Sequence, residues 1–569
     1  AAGGFSPRRR PPKRRSRAGD LLPLAVTFAE KPLRPPVASP SSSPRKPALP
    51  PAMVAAQEPR KECPPDLTSG LFRADDFCTY SPKQLDGEDR LSTLTDDLLL
   101  SILGRVSSRV AARTSVLSTR WRHLSWWLPE LSINVKDVLS APCADPIEAN
   151  DMEQAMASLT KATRSLLDKQ QRESSISSLH LNLISNFLCE VGQLIGDAID
   201  SGLLKDLDLT ILDEIEPLDC SEEELQQRAQ DIDAFFTAYP SVLLCLTKLS
   251  LKNVGFDKLD MHHLLFDCCK QLTHLTLHHC DTGSFSLFKI DAPGSKLRVL
   301  EIEKCRFLRI DLVCLPKLEK FLWETWVSQV APLTFGFVPS LGELELSSGS
   351  NCDQRLFRLS ELLHGVTSIH TLTLDFQGET LWVQAEMEEL RTAFSKLRKL
   401  FVRGIFVEFD ISWTTAFLVA APSIEMLHIE VWEHTCDVGE ARPASYHDRK
   451  SPRWEMHLDS SSENRLLKEL EFAGFKSLEQ QFTFIRSMLE RCPNLQKIVL
   501  RDEEQCDDCD TLKVPRPSRF PRKEDEQEMV VKRIRDEMFV DGLSQDAIWL
   551  HGALSVCFVL IFLFLFLLP

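Results

Sequence analysis

The sequence predicts an α/β solenoid: a small three-helix module, then a long irregular array of short parallel strands, and at the end a helix long enough to cross a membrane. Three observations carry this expectation. The pattern apolar-x-x-apolar-x-apolar recurs twelve times from "ISSLHL" at residue 176 to "LQKIVL" at 495, at separations of 28, 42, 26, 25, 21, 23, 28, 28, 27, 43 and 28 residues. Ahead of it, "DRLSTLTDDLLLSILGRVSSRVAARTSVLSTRWRHLSWWLPEL" (89–131) spaces its apolar residues as short helices do. The chain closes on "AIWLHGALSVCFVLIFLFLFLLP" (547–569), which has no charged residue.

Composition narrows the function classes. With 66 Lys+Arg against 82 Asp+Glu the net charge is −16 and the pI about 5.5, which excludes a general nucleic-acid binder. The 17 cysteines are odd in number and scattered, with no secretory leader, so reduced thiols are expected. The close pair in "CDDC", Cys506 and Cys509, lacks a second pair at zinc-binding spacing. In "LTLHHCD" strand alternation sends His278 and His279 to opposite faces, away from a shared metal. Phosphate-cradling loops, nucleophile elbows and zinc-protease motifs are missing, so neither catalytic residues nor a cofactor are expected.

Taken in order, residues 1–86 are rich in Pro, Ser and Arg and too poor in apolar side chains to offset chain entropy, which predicts disorder. The first methionine is Met53, which leaves open that 1–52 precede the natural start; "PRRRPPKRRSR" (7–17) would suit a nuclear or transit signal. In 87–131, Asp96 and Asp97 begin a helix carrying Leu98, Leu99, Ile102 and Leu103. Ser107 or Ser108 caps a second with Val110, Ala111, Thr114 and Leu117, and a third holds Trp121 and Leu124. So small a module needs a partner to bury its apolar area, and Trp126 and Trp127 are assigned to its junction with the array. Residues 132–175 read as a connection.

From 176 to 466 the separations fit the 20–29-residue period of a leucine-rich repeat, apart from two long gaps. Each repeat contributes a strand whose +3 and +5 residues point inward, because strand side chains alternate, and stacked repeats make one continuous sheet. Cys280 and Cys305 stand at the Asn/Cys position, eight after the repeat start. The gap at 213–240 predicts a lengthened helix and that at 433–465 an exposed loop. Residues 506–546 read as a charged linker.

The words "DRLSTLTDDLLLSIL" and "RTSVLSTRWRHL" resemble the plant F-box, the module by which SCF ubiquitin ligases hold substrate receptors. The array behind it resembles plant F-box/LRR proteins, and "LKELEFAGFKSLEQQFTFIRSMLERCPNLQKIVL", within 467–505, is similar to their closing FBD module. The resemblance implies a non-catalytic receptor whose F-box contacts a Skp-type adaptor, on a cullin scaffold, through Leu94, Leu98, Ile102, Leu103, Leu117 and Trp121. It departs from the family where proline is usual, at Thr95 and Ser107. A scaffold with a degenerate F-box and a small-molecule sensor are the alternatives.

The +2, +4 and +6 positions are expected to line the concave sheet and hold an unknown protein target. They include Lys248, Lys252, His274, His278, Glu301, Glu303, Glu343, Glu345, Asp375, Lys399, Arg403, Glu469, Glu471, Lys497 and Arg501. The final run at 547–569, preceded by Lys532, Arg533 and Arg535, predicts a tail anchor facing the cytosol, with cytoplasm or nucleus as the location if the run is not native.

Overall fold

The computed structural model describes residues 93–551, apart from 107, 115, 139–148, 169–171, 173, 214, 216–218, 284–285, 327, 350–354, 385, 387, 434–462, 504–518 and 536–547. The Arg-rich run, Ser107, the CDDC pair and most of the expected loop at 433–465 lie outside the described residues.

Three short helices open the described chain: α1 (Asp96–Leu103), α2 (Ser108–Thr114) and α3 (Thr119–Leu124). Leu117, expected on the second helix, falls in the turn after it. Fourteen parallel strands then form one sheet in chain order: β1 (Glu130–Asn134), β2 (Ile176–Ile184), β3 (Leu204–Leu212), β4 (Leu246–Lys252), β5 (His274–His278), β7 (Val299–Glu303), β9 (Lys320–Glu324), β11 (Glu343–Ser347), β12 (Thr371–Asp375), β13 (Lys399–Phe406), β14 (Met426–Trp432), β15 (Glu469–Ala473), β16 (Lys497–Arg501) and β17 (Ile548–His551). The twelve from β2 to β16 coincide with the twelve sequence repeats. Their +3 and +5 side chains, from Leu179 and Leu181 to Ile498 and Leu500, are all 2% exposed or less. One repeat could not bury that face; the stack does.

What lies behind each strand follows repeat length. The three shortest separations, 25, 21 and 23 residues, begin at 272, 297 and 318. Those repeats carry the outer strands β6 (Leu287–Asp291), β8 (Arg309–Cys314) and β10 (Leu333–Phe337), paired as a second, three-stranded parallel sheet. A helix rises about 1.5 Å per residue and a strand about 3.3 Å, so a short repeat spans its outer side only in extended form. The 28-residue repeats starting at 176 and 467 have room for the helices Leu188–Asp200 and Glu479–Arg491. In the long gap the acidic run begins the helix Glu222–Ala238, closed by a capping box between Ser221 and Glu224.

Turning each strand back needs a left-handed residue at +7 in many repeats. Asn253, His279, Lys304 and Thr325 have φ near +50°, and glycine fills the site at Gly404 and Gly474. The turned amides continue the ladder: Asn253 N donates to His278 O at 3.0 Å, and His279 N donates to Glu303 O at 2.9 Å. The Asn/Cys position then closes the corner. The Cys280 amide donates to Cys305 Sγ at 3.2 Å, and the Cys305 thiol donates to Leu277 O at 3.3 Å. Burial pushes the Cys305 thiol well above its ordinary value, which keeps it a protonated donor.

Two expectations are corrected here. The expected transmembrane helix does not run through the described residues of its span: Ile548–His551 is strand β17, pairing with β16 through Ile498↔Ile548 to Arg501↔His551. A strand wins because β16 offers an open edge and Ile548 buries on the array's core. Residues 552–569 lie outside the described residues, and among those described no helix is long and apolar enough to cross a membrane. Trp126 is buried, whereas Trp127 is 40% exposed in the turn after α3 rather than enclosed at a junction.

Candidate functional site

Two surfaces carry the residues singled out from sequence. The first is the three-helix module. Helix α1 is apolar on both sides. Leu99 and Leu103 pack inward with Ala111 of α2 and Trp121 and Leu124 of α3; Leu98 (53% exposed) and Ile102 (41%), one turn apart, face out. Val106, Val110, Val116 and Leu117 are exposed as well. Of the sixteen exposed large apolar side chains among the described residues, six thus fall between 98 and 117.

Leu94 is half-buried against the core beside this face. Leu103 (2% exposed) and Trp121 (6%) correct the expectation that they face the adaptor. They are the module's own core, because three short helices must bury something between them to hold together at all. Val106 and Val116 were not singled out, and Val110 was placed on the second helix without being assigned to the exposed side.

The second surface is the open face of the large sheet, where +2, +4 and +6 residues of neighbouring repeats stand in rows. One row runs Ser250, Thr276, Glu301, Leu322, Glu345, Thr373, Phe401, His428, Glu471 and Val499. The fifteen residues expected here all lie on this face, but the structure groups them into separate pairings.

At the N-terminal end Lys248 meets Asp208 at 2.9 Å, and His180 approaches the same carboxylate at 2.6 Å. His274 is held below the ordinary imidazole value, first by burial and then by Lys248. Lys252 donates to the carbonyl of Asp213 at 3.2 Å. His278 ends β5 on the open face, while His279 turns inward with its Nδ1 2.8 Å from Asn253 Oδ1.

The middle of the face is acidic. Glu301 pairs with Lys320 at 2.9 Å, and Glu343 stands exposed on β11. The Glu303 carboxyl is pushed up by burial and by its neighbour Glu324. Burial likewise raises Glu345, opposed by Arg403 at 3.8 Å, and Asp375, which accepts from the Ser347 hydroxyl at 3.0 Å.

Farther along, Lys399 is exposed, and the Arg403 guanidinium lies over the Phe401 ring at 5.2 Å. Lys497 pairs with Glu469 at 2.6 Å. Arg501 meets Glu471 at 2.5 Å, while His428, 3.2 Å from Glu471, holds that carboxyl below its ordinary value. His180, Asp208, Lys320, Glu324, Phe401 and His428 share the face and were missed. The same +2/+4/+6 rule applied to "ISSLHL", "LKDLDL", "LEKFLWE", "LRKLFV" and "IEMLHI" would have found them.

Comparison with known proteins agrees with this architecture. The family described as "At1g61320/AtMIF1, LRR domain" matches residues 235–533, more than half of the chain. An F-box/FBD/LRR-repeat protein of Arabidopsis thaliana, At2g04230, is 31% identical over 234 residues, 38% of this chain and 48% of that protein. Another from the same plant, the putative F-box/FBD/LRR-repeat protein At2g05300, is 25% identical over 453 residues, 74% of this chain and 93% of that one. The chain thus spans about half of the first relative and nearly all of the second.

Among solved structures, the leucine-rich repeat-containing protein LegL7 of Legionella pneumophila is 12% identical, with a TM-score of 0.24 over 73% of this chain and all of that one. At that score it adds nothing to the fold, which the strand ladder establishes by itself. Matched over most of its array and similar to relatives named for the same modules, the chain belongs to the plant F-box/LRR-repeat proteins with an FBD-like region, its repeats forming an LRR domain of the At1g61320/AtMIF1 kind.

Proposed function

We propose that this protein is the substrate receptor of an SCF-type ubiquitin ligase: the helical module binds a Skp-type adaptor on its cullin scaffold, and the open face of the sheet holds a target protein. The observation that carries the reading is the module's second apolar face. Its core is already complete with Leu99, Leu103, Ala111, Trp121 and Leu124, yet Leu98, Ile102 and Leu117 remain exposed, and apolar side chains left exposed together on one small module suit burial by another protein.

The receptor needs no chemistry of its own. A rigid arm that keeps target lysines near the transferring enzyme raises their local concentration, which suffices for catalysis by proximity. The array suits that arm, since one core cluster runs from Leu99 in the module to Ile548 in the last strand. The face's alternation of cationic and acidic stretches fits an elongated protein with charges in matching order better than a uniform polyanion.

The test is affinity capture of the full chain from plant extract, with mass spectrometry for adaptor and cullin. Recovery of both supports the proposal, and Leu98→Asp should abolish it, since a charge buried unpaired in the interface costs several kcal/mol. Capture of neither by the folded, unmodified chain would leave only an LRR interaction scaffold.

A further inference from the structure

Helix α1 begins without a cap of its own. Thr95 stands at the N-cap with extended backbone (φ −71°, ψ 157°), and its hydroxyl makes no capping bond. A serine or threonine there ordinarily accepts from an amide of the first turn. The start of α1 is instead tied from outside, by a residue 24 positions later. Arg120, in the first turn of α3, donates from Nε to Asp96 Oδ1 at 2.7 Å and from a terminal nitrogen to the Leu94 carbonyl at 2.5 Å. The guanidinium thus spans the junction between extended chain and helix, with one acceptor on each side of Thr95.

Resting on the reading of the module as an adaptor-binding face, we infer that Arg120 is the positioning residue of that face: its fork sets the angle at which α1 leaves Leu94 and so places Leu94 and Leu98 for the partner. The geometry asks for arginine. Two acceptors on different residues need a planar donor with fixed spacing, and a lysine ammonium is a single point charge. Stability is not what the contact supplies, because the side chains of Arg120 and Asp96 are 37% and 47% exposed and a solvated ion pair contributes little. Its effect falls on geometry, and a face whose apolar side chains must enter a partner's surface together is sensitive to a tilt of their helix.

The experiment titrates a purified plant Skp-type adaptor into the full chain and four variants: Arg120→Met, which keeps the stem and removes both donors, Arg120→Lys, Asp96→Asn and the double variant Arg120→Met/Asp96→Asn. Arg120→Met should weaken binding by about twofold to fivefold, since the loss cannot exceed the ~0.2–1 kcal/mol that so solvated a contact contributes, and Arg120→Lys by clearly less. Asp96→Asn should add almost nothing on top of Arg120→Met, because the two act through one contact. The thermal transition of the array should not move, while amides 97–100 of the free Arg120→Met chain exchange faster than in the unmodified chain. Unchanged affinity and exchange in Arg120→Met would overturn the positioning role while leaving the adaptor reading intact. Equal losses in the Lys and Met variants, or a lowered transition, would also overturn it by pointing to plain destabilisation. An unmodified chain that takes up no adaptor would refute both inferences together.

Discussion

Removing Leu98 and Leu117 together separates the binding face of the module from its core. Their side chains are 53% and 64% exposed, so about half of each is still available for burial by a partner. Burying a whole leucine is worth about 1.5–3 kcal/mol, and half of that is about 1 kcal/mol or slightly more per residue. The two sites lie on different elements, so their effects should nearly add, to about 2–3 kcal/mol, or roughly thirty- to a hundred-and-fiftyfold in affinity. The double variant Leu98→Ala/Leu117→Ala should therefore bind a Skp-type adaptor that much more weakly by calorimetry, with an unchanged thermal transition.

Leu103→Ala is the control with the opposite signature. That side chain is 2% exposed, and deleting it leaves a cavity costing about 2–5 kcal/mol, enough to unfold so small a module. It should lose adaptor and local structure together. The double variant binding within twofold of the unmodified chain, while folded, would refute the assignment of the face.

Other consequences concern the array. Gly474 has φ +72°, and a Cβ there would lie 2.0 Å from the Val431 carbonyl oxygen; Gly474→Ala should lower the thermal transition, and an unchanged one would mean that the turn has another conformation open to it. Charge reversal by Lys399→Glu with Arg403→Glu should weaken target capture and spare the adaptor, whereas joint loss would indicate unfolding. Burial raises the folded value of the Glu345 carboxyl above its ordinary 4.5, against Arg403. A group raised in this way binds its proton more readily in the folded chain, so its charge costs stability at neutral pH and the cost is relieved as pH falls through the raised value. Glu345→Gln should therefore raise the transition at pH 7 and remove part of the gain on mild acidification; a lower transition at pH 7 would contradict this.

Inward leucines were legible because a period of two, repeated twelve times, has no other reading. The outer strands β6, β8 and β10 were legible only as shortened separations, whose meaning depends on how far a helix and a strand travel per residue. Helix α1 could not be oriented from sequence: Leu98 and Ile102 make one apolar stripe, Leu99 and Leu103 another, and only packing against Trp121 selects the inner one. Strand β17 was hidden by the apolar run it opens, since four residues beside a charge-free segment read as helix. Arg120 carried no signal at all, because its partners lie 24 and 26 residues away and no local pattern reports such contacts.

The central claim, that the module is where this chain meets the ligase, is tested most directly by hydrogen exchange of the full chain with and without a purified Skp-type adaptor. Slowed exchange should fall on 94–106 and 110–117, around Leu98, Ile102, Val110 and Leu117, and leave the strands of the open face unchanged. Protection of the sheet face instead, or no protection at saturating adaptor, would contradict the account.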